Sequence, residues 1–381
     1  MASDSSPRRG VHLEYRFEPG ASRQRGADIA NPLVDLLRTL RDTGSISAAA
    51  RALGSSYRHT WGALKQWEAA LGAPLVVWVK GQNARLTPLA ERLLWAETRA
   101  RTRLTPHIEA LRSELDRVLT LAFDAAHDAI TVYASHDLAL PLLRDRADAQ
   151  GLHIDLRFAG STDALHALAH GRCDVAGFHV PVLRGGRAPR FAQSLKALLK
   201  PGRHKLLACH RRTQGLLLAP GNPLAVQGLA DLARPGLRFV NRQPGSGTRL
   251  LVEHLLADAG IDAQRIGGFH DASEDTHVAV AAAVASGAAD AAVGIEAAAA
   301  QFGLHFVPLA EEDYYLVCLK DVLDGAAVQR LRGLLASTDW RDALATLAGC
   351  EPHAHAGDVL SLTRALPWWH YRAPKDVAPG R

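Results

Sequence analysis

The chain has 381 residues, of which 48% are hydrophobic and 22% charged, as is typical of a globular protein with two or three compact units. No apolar run approaches the ~20 residues that a membrane-spanning helix needs. The basic pair near the start is not followed by the hydrophobic stretch of a secretory signal. Composition therefore argues against a membrane or exported protein and predicts a cytoplasmic one.

The cysteines argue against a metal site. There are four of them, far apart and without a CxxC pair: Cys173, Cys209, Cys318 and Cys350. Zinc sites and disulfide frameworks need closer or more regular spacing, so we expect reduced thiols in a core, no metal and no resident cofactor.

Charge is distributed unevenly along the chain. Residues 1–120 contain 18 Lys and Arg against 12 Asp and Glu, whereas the remaining 261 residues contain 26 against 27. The positive excess thus lies in the first third of the sequence, which is where a protein that neutralises DNA phosphates would need it.

The first predicted elements are an arm and a helix. Residues 1–30 are rich in Ser, Arg and Gly and predict a flexible arm, with an alternating run at 11–17 that could add an edge strand. Asn31 is expected to cap a helix with Pro32 in its first turn, and Gly44 to end it. The apolar stripe of this helix consists of Leu33, Leu36, Leu37 and Leu40.

Two further helices follow in a helix-turn-helix pattern. Ser47 is expected to cap a second helix over 48–53, Gly54 to make the turn, and Ser55 or Ser56 to cap the third helix. The spacing of the apolar residues predicts that the third helix buries Tyr57, Trp61, Leu64 and Leu71.

A β-like run at 74–80 and a polar turn at 81–83 predict a wing, so that residues 31–88 form a winged helix-turn-helix DNA-binding domain. The start of the third helix would enter the major groove and the wing would contact the backbone or minor groove. The candidate DNA-binding residues are Ser45, Ser47, Ser56, Tyr57, Arg58, His59, Lys65, Lys80, Gln82, Asn83 and Arg85.

Residues 89–127 carry leucines at helical spacing and predict a linker helix that pairs two protomers. Pro106 is expected to kink or divide this helix, with Thr105 as a cap. Pairing of protomers through this helix would give a homodimer or a tetramer. The alternative is that the helix packs on its own domain.

From residue 128 to 350 the pattern changes to short β-rich runs that alternate with helices, which predicts an α/β domain with parallel sheets. The expected strands are 130–134, 153–158, 175–179, 206–210, 215–219, 238–241, 291–294 and 314–319. The expected helices include 163–170, 248–259 and 276–286. The Pro- and Gly-rich stretch 219–238 is interpreted as a crossover between two lobes, and 351–381 as a C-terminal extension.

Several strand-to-helix junctions in this domain carry hydroxyl or glycine residues. Helix N-termini with Ser or Thr side chains can hold an anion, because sheet topology brings such junctions to one edge. His at the end of a strand and Tyr on a late strand could line the same cleft. The candidate ligand-binding residues are Ser135, His136, Asp137, Ser161, Thr162, His179, Ser246, Gly247, Thr248, Arg249, Thr276 and Tyr314.

Two stretches of the chain resemble known families. Residues 32–119 resemble the winged helix-turn-helix of LysR-type and molybdate-responsive bacterial regulators, on the segments 44–50, 56–61 and 84–88. Residues 130–349 resemble the periplasmic-binding-protein-like domain of the molybdate-binding class. That second resemblance rests on the segments 160–165, 171–179, 241–249 and 285–294.

The resemblance implies an α+β chain in two parts: a winged helix-turn-helix with a linker helix, then a two-lobed α/β domain of the type 2 periplasmic-binding-protein fold. It also implies a one-component transcriptional regulator that binds an operator in double-stranded DNA and senses molybdate, tungstate or a related oxyanion. A molybdenum-cofactor fragment, a nucleotide-like compound or an organic acid remains open as the effector.

Two other functional classes compete with a regulator. The sequence contains no Walker lysine loop, no GxSxG elbow, no HExxH and no CxxC, so we expect no enzyme and no catalytic residues. A solute-binding protein that uses its helix-turn-helix only to contact a partner is disfavoured by the positive charge of residues 1–120.

Overall fold

The computed structural model describes residues 31–78, 83–123, 128–182, 192–366 and 369, and the chain divides into two units, Met1–Arg101 and Thr102–Arg381. The predicted arm over 1–30, Lys80 and Gln82 of the predicted wing, and nearly all of the extension beyond 366 lie outside the described residues. No helix in the described part of the chain combines the length and apolar character needed to span a bilayer.

The described part of the first unit begins with three helices and a two-stranded antiparallel sheet. They are α1 (Pro32–Thr43), α2 (Ile46–Ala52), α3 (Tyr57–Leu71), β1 (Val76–Val77) and β2 (Arg85–Leu86), and they are followed by α4 (Pro88–Phe123), which continues into the second unit. The core of the first unit centres on Leu37, Leu40, Ala49, Leu64 and Leu75.

Local capping explains where these helices begin. The side chain of Asn31 accepts from the backbone N–H of Val34 at 3.3 Å, and Gly44 ends α1 in the left-handed region with φ +70°. Ser45 caps α2 and Ser56 caps α3, each through its Oγ at 3.2 Å from a backbone N–H three residues on. The prediction that Ser47 caps α2 was wrong, because the helix begins earlier, at Ile46.

Two other predictions for the helices were wrong. Tyr57 is 55% exposed, and Thr60 occupies the buried position near the start of α3, since Thr60 and Leu64 lie one turn apart on the inner face. Helix α4 runs through Pro106 without a break, so the division predicted there was wrong, and Thr105 lies inside the helix and does not cap it.

The second unit alternates strands and helices. Its elements are β3 (Asp128–Ala134), α5 (Ala139–Ala149), β4 (Leu152–Phe158), α6 (Ser161–Ala169), β5 (Val175–Pro181), α7 (Ala192–Leu198), β6 (His204–Leu218), β7 (Phe239–Arg242), α8 (Gly247–Asp258), β8 (Ser273–Glu274), α9 (His277–Ala285), β9 (Ala291–Ile295), α10 (Glu296–Gln301), β10 (His305–Leu319), α11 (Ala326–Leu335), α12 (Thr338–Leu344), β11 (Cys350–Pro352), β12 (Val359–Leu360) and α13 (Leu362–Ala365).

The strands lie in the order β4-β3-β5-β10-β6-β9-β7-β8, with β11 and β12 on β6. Strand β3 is parallel to β4 and β5 in one lobe, and β7 is parallel to β8 and β9 in the other. The long strands β6 and β10 are antiparallel and pass between the lobes, because β10 also pairs with β5 and β6 with β9. The sheet is therefore mixed and not purely parallel.

The crossover is formed by β6 and β10, so the prediction that placed it in residues 219–238 was wrong. The two strands expected at 206–210 and 215–219 are one continuous strand. Polar residues between them, including Arg212 and Gln214, resemble a loop in the sequence, but both are buried. Gly215 allows β10 to approach, because a Cβ there would lie 2.3 Å from the carbonyl oxygen of Val307.

Candidate functional site

A cavity of about 170 Å³ lies between the two lobes of the second unit. Its lining comes from three parts of the fold. Lobe one contributes Ser135, His136, Phe158, Ala159, Gly160 and His179; lobe two contributes Arg242, Gln243, Ser246, Gly247, Thr248, Asp275, Thr276 and His277; and helix α4 contributes Arg103, Pro106 and His107.

Arg242 is the cationic residue at the end of β7, where the strand reaches the cavity. It is buried, and its guanidinium donates to the carbonyl oxygens of Asp275 at 2.6 Å and Glu274 at 3.3 Å. Among the described residues, Nη1 of this guanidinium has no hydrogen-bond partner. Burial and the nearby charge of Arg212 lower the pKa of Arg242 to about 9. The cavity wall thus contains a buried cation with an unused donor.

Three histidines line the same cavity as this guanidinium. Within the described part of the chain, Nδ1 of His136, Nε2 of His179 and Nδ1 of His277 are buried without hydrogen-bond partners. Burial lowers the pKa of His136 and of His179 to about 4, and burial together with the charge of Arg242 lowers the pKa of His277 well below its usual value. The rings are therefore neutral near pH 7, and each can present an N–H to an acceptor.

Three helices begin at the cavity. The hydroxyl of Ser246 caps α8 and that of Thr276 caps α9, and Gly160 is the N-cap residue of α6. The first turn of each helix has backbone N–H groups without partners inside the helix and carries the positive end of the helix dipole. Together with Arg242, these ends make the cavity suited to an anion.

A buried ionic network lies beside the cavity. Arg212 binds Asp137 through Nη1 and Glu312 through Nη2, the latter at 2.9 Å, and all three side chains are at most 1% exposed. Burial opposes ionisation of Asp137 and Glu312, but interaction with Arg212 and the neighbouring histidines outweighs it and lowers the pKa of both carboxyl groups. Gln214 bridges Glu312 and Thr248 at 2.7 and 3.1 Å, which connects the network to the cavity wall.

The lobes approach each other closely at Gly247. A Cβ on this residue would lie 1.9 Å from Nε2 of His179, which belongs to the opposite lobe. A glycine is therefore required at this position in the arrangement of the lobes that the structure shows.

The structure places seven of the twelve predicted ligand residues at the cavity: Ser135, His136, His179, Ser246, Gly247, Thr248 and Thr276. Ser161 and Thr162 line a smaller adjoining cavity of about 20 Å³.

Asp137, Tyr314 and Arg249 lie elsewhere. Asp137 belongs to the ionic network, and the hydroxyl of Tyr314 donates to the carbonyl oxygen of Ser135 at 2.9 Å. Arg249 pairs with Glu253 at 3.1 Å and lies over the ring of Phe269.

Sequence reasoning missed Arg242, His277 and the α4 residues. Arg242 lies four residues before the predicted ligand residue Ser246, and His277 directly follows Thr276, so the end of β7 and the start of α9 were the available signals. Helical periodicity in α4 gave no indication that His107 lines a cavity.

The first unit exposes the start of α3. Ser56, Tyr57, Arg58 and His59 are all exposed there, and Lys65, about two turns further along the helix, pairs with Glu68 at 2.7 Å. Among the other predicted DNA-binding residues, Ser47, Asn83 and Arg85 are exposed and Ser45 is partly buried. The leading end of α3 can thus reach a large partner.

Comparison with known proteins identifies the family. A family model described as a PBP superfamily domain matches residues 144–336, just over half of the chain. The chain belongs to the PBP superfamily. A second model, described as the bacterial regulatory helix-turn-helix protein of the lysR family, matches residues 33–91. This PBP-superfamily chain is therefore a LysR-type transcriptional regulator with a PBP-like effector-binding domain.

Two curated proteins are similar to parts of the chain. The chain is 31% identical over 219 residues to the uncharacterized protein YvgK of Bacillus subtilis (strain 168), covering 57% of this chain and 70% of that protein. It is 38% identical over 92 residues to the molybdenum-pterin-binding protein MopB of Rhodobacter capsulatus, but these cover only 23% of this chain and 31% of MopB.

The solved structure of a Corynebacterium glutamicum OxyR C206 mutant is similar at a TM-score of 0.41 and 17% identity, covering 84% of this chain and 95% of that one.

Proposed function

We propose that the second unit is a sensor for a small oxyanion, with molybdate or tungstate as the effector. The observation that carries the proposal is the set of unused donors at the cavity, namely Nη1 of Arg242 and one ring nitrogen on each of His136, His179 and His277. Unpartnered buried donors cost folding free energy unless a ligand engages them.

Cavity size favours an oxyanion over a cofactor fragment. Sites for drug-sized ligands enclose about 300–1,000 Å³, whereas this cavity encloses about 170 Å³. The name of the partial relative MopB supports molybdenum as the element, and the small volume favours the inorganic anion over a pterin. A short organic acid is the alternative that the same donors could bind.

A thermal-shift experiment on the full chain tests the effector. Molybdate and tungstate are each expected to raise the midpoint by several degrees, because a ligand at 100 times its Kd stabilises the folded state by about 2.7 kcal/mol. Sulfate, phosphate and small organic acids at equal concentration serve as comparisons. A shift with organic acids alone would refute the oxyanion proposal, and no shift with any of these anions would refute the anion site.

We further propose that the candidate residues of the first unit bind an operator, as a homodimer or tetramer in the cytoplasm, with the domain boundaries at 31–88, 89–127 and 128–350. The exposed N-terminal end of α3, with Arg58 and His59, supports a role in the major groove.

Arg58→Ala is expected to weaken specific DNA binding by about 1–3 kcal/mol without unfolding the protein, because Arg58 is exposed and a base contact is worth that much. Arg41→Ala, which removes the same charge from an exposed position at the end of α1, is the control and should change affinity little. Fluorescence anisotropy on a duplex selected from random DNA measures both. Equal affinities for the two variants would remove Arg58 from base recognition.

A further inference from the structure

Helix α4 is attached to lobe two by a bidentate ion pair, that is, by two hydrogen bonds between one guanidinium and one carboxylate. The guanidinium of Arg103 donates from Nε and Nη2 to the two carboxylate oxygens of Glu274, at 2.7 and 2.5 Å. The Glu274 side chain is only 8% exposed, so this ion pair is shielded from water on the carboxylate side. Two-point Arg–carboxylate pairs fix orientation as well as distance.

Glu274 is directly connected to the cavity wall. The next three residues, 275–277, all line the cavity, and the backbone carbonyl of Glu274 accepts a hydrogen bond from Nε of Arg242. A ligand that moves Arg242 therefore acts on the residue that holds Arg103.

The same helix is attached to lobe one further along its length. Glu109 of α4 binds Arg144 of α5 at 2.5 Å, with both side chains largely buried, and the hydroxyl of Ser113 accepts from the backbone N–H of Leu156 on β4 at 3.2 Å. The segment between the two anchors carries Pro106 and His107, which line the cavity. The anchors Arg103 and Glu109 are six residues apart, about 9 Å along a helix axis.

We propose that residues 103–113 of α4, of which Arg103, Pro106 and His107 line the cavity, are the element that senses the separation of the lobes. A helix cannot stretch to follow two anchors that move apart or together, so a ligand that changes the lobe spacing must shift α4 or release one anchor. Because α4 begins at Pro88, within the residues matched by the lysR-family model, the shift acts on the same helix that follows the DNA-binding elements. This inference rests on the proposed anion site.

The test uses the full chain, sodium molybdate as the probe and the selected duplex as the DNA. In the wild type, saturating molybdate is expected to change DNA affinity at least about fivefold. Glu274→Gln and Glu109→Gln each break one anchor at a residue outside the cavity lining. Both should still bind molybdate by calorimetry, while the change in DNA affinity falls below about twofold. Arg101→Gln removes a charge from the same helix at a residue that pairs with Glu97 one turn back, and it should behave as the wild type.

The possible results separate the two proposals. If molybdate binds the wild type without altering DNA affinity, or if both anchor variants keep the full response, the α4 inference is wrong and the anion site stands. If the wild type binds none of molybdate, tungstate, sulfate and phosphate, the anion site is wrong. Hydrogen exchange of the unliganded chain then decides the inference: amides of 103–113 should exchange at least about tenfold faster in Glu274→Gln than in Arg101→Gln, and equal rates would overturn it.

Discussion

Arg242→Met is expected to abolish the molybdate response while leaving the unliganded protein about as stable as the wild type. The guanidinium is buried with Nη1 unpartnered, and burial beside Arg212 lowers its pKa, because its charge is less well solvated there than in water. Met removes that desolvation cost, which offsets the two hydrogen bonds lost to the carbonyl oxygens of Glu274 and Asp275. The bound anion, by contrast, loses its cationic partner, at a cost of about 2–5 kcal/mol, or about 30-fold or more in affinity.

Calorimetry with molybdate and thermal unfolding without it measure the two halves of this expectation. Arg238→Met is the matched control, because Arg238 lies just before β7, is more than half exposed and pairs with Asp290 away from the cavity lining. The control should bind molybdate as the wild type does. Wild-type affinity in Arg242→Met would show that the anion is held elsewhere, and a large loss of unliganded stability would show that Arg242 has mainly a structural role.

Local signals in the sequence were sufficient to predict most helix ends of the first unit. Asn31, Gly44 and Ser56 act through hydrogen bonds within four residues of themselves, so caps and helix ends can be predicted from neighbouring letters. The exposure of Tyr57 could not be predicted in this way, because it depends on which of two adjacent faces of α3 packs against α1 and α2. Propensity and spacing do not resolve a rotation of one residue.

The long-range contacts of the second unit could not be predicted from the sequence. Arg212 and Gln214 interrupt an apolar run, and polar residues within such a run normally indicate a loop. Their partners Asp137 and Glu312 lie 75 and 98 residues away, so nothing local shows that these charges are paired and buried within one strand. The junction pattern predicted where an anion would bind but not that Arg242, rather than Arg249, lines the cavity.

The buried network makes Arg212 the position where a single substitution should be most destabilising. Arg212→Met leaves Asp137 and Glu312 as buried carboxylates without their cation, and breaking a buried ion pair from one side costs about 3–5 kcal/mol of unfolding free energy. Arg211→Met is the matched control on the other face of β6. Arg211 is one-third exposed, and its partner Asp313 keeps a second partner, His353, at 3.6 Å, so the loss should be limited to about 1 kcal/mol or less.

Urea unfolding at about pH 5 and about pH 8 separates charge from packing. In the wild type the pKa values of both carboxyl groups are lowered, so their contribution to stability is present above the unfolded-state pKa and is lost as the pH falls through the folded-state values. Without Arg212 the pKa values should rise above those of the unfolded chain. The native state then binds protons more readily, and the variant should be less destabilised at the lower pH.

Neutralising the two carboxylates provides the second check on the same explanation. Adding Asp137→Asn and Glu312→Gln to Arg212→Met should recover most of the lost unfolding free energy, because no uncompensated charge then remains in the core. A triple variant as unstable as Arg212→Met, with no dependence on pH, would mean that the guanidinium stabilises the strand by filling space, including its stacking over the ring of Tyr314. The network would then stabilise the fold by packing alone, and the hydrogen bond from Gln214 to Thr248 would not couple its charges to the cavity.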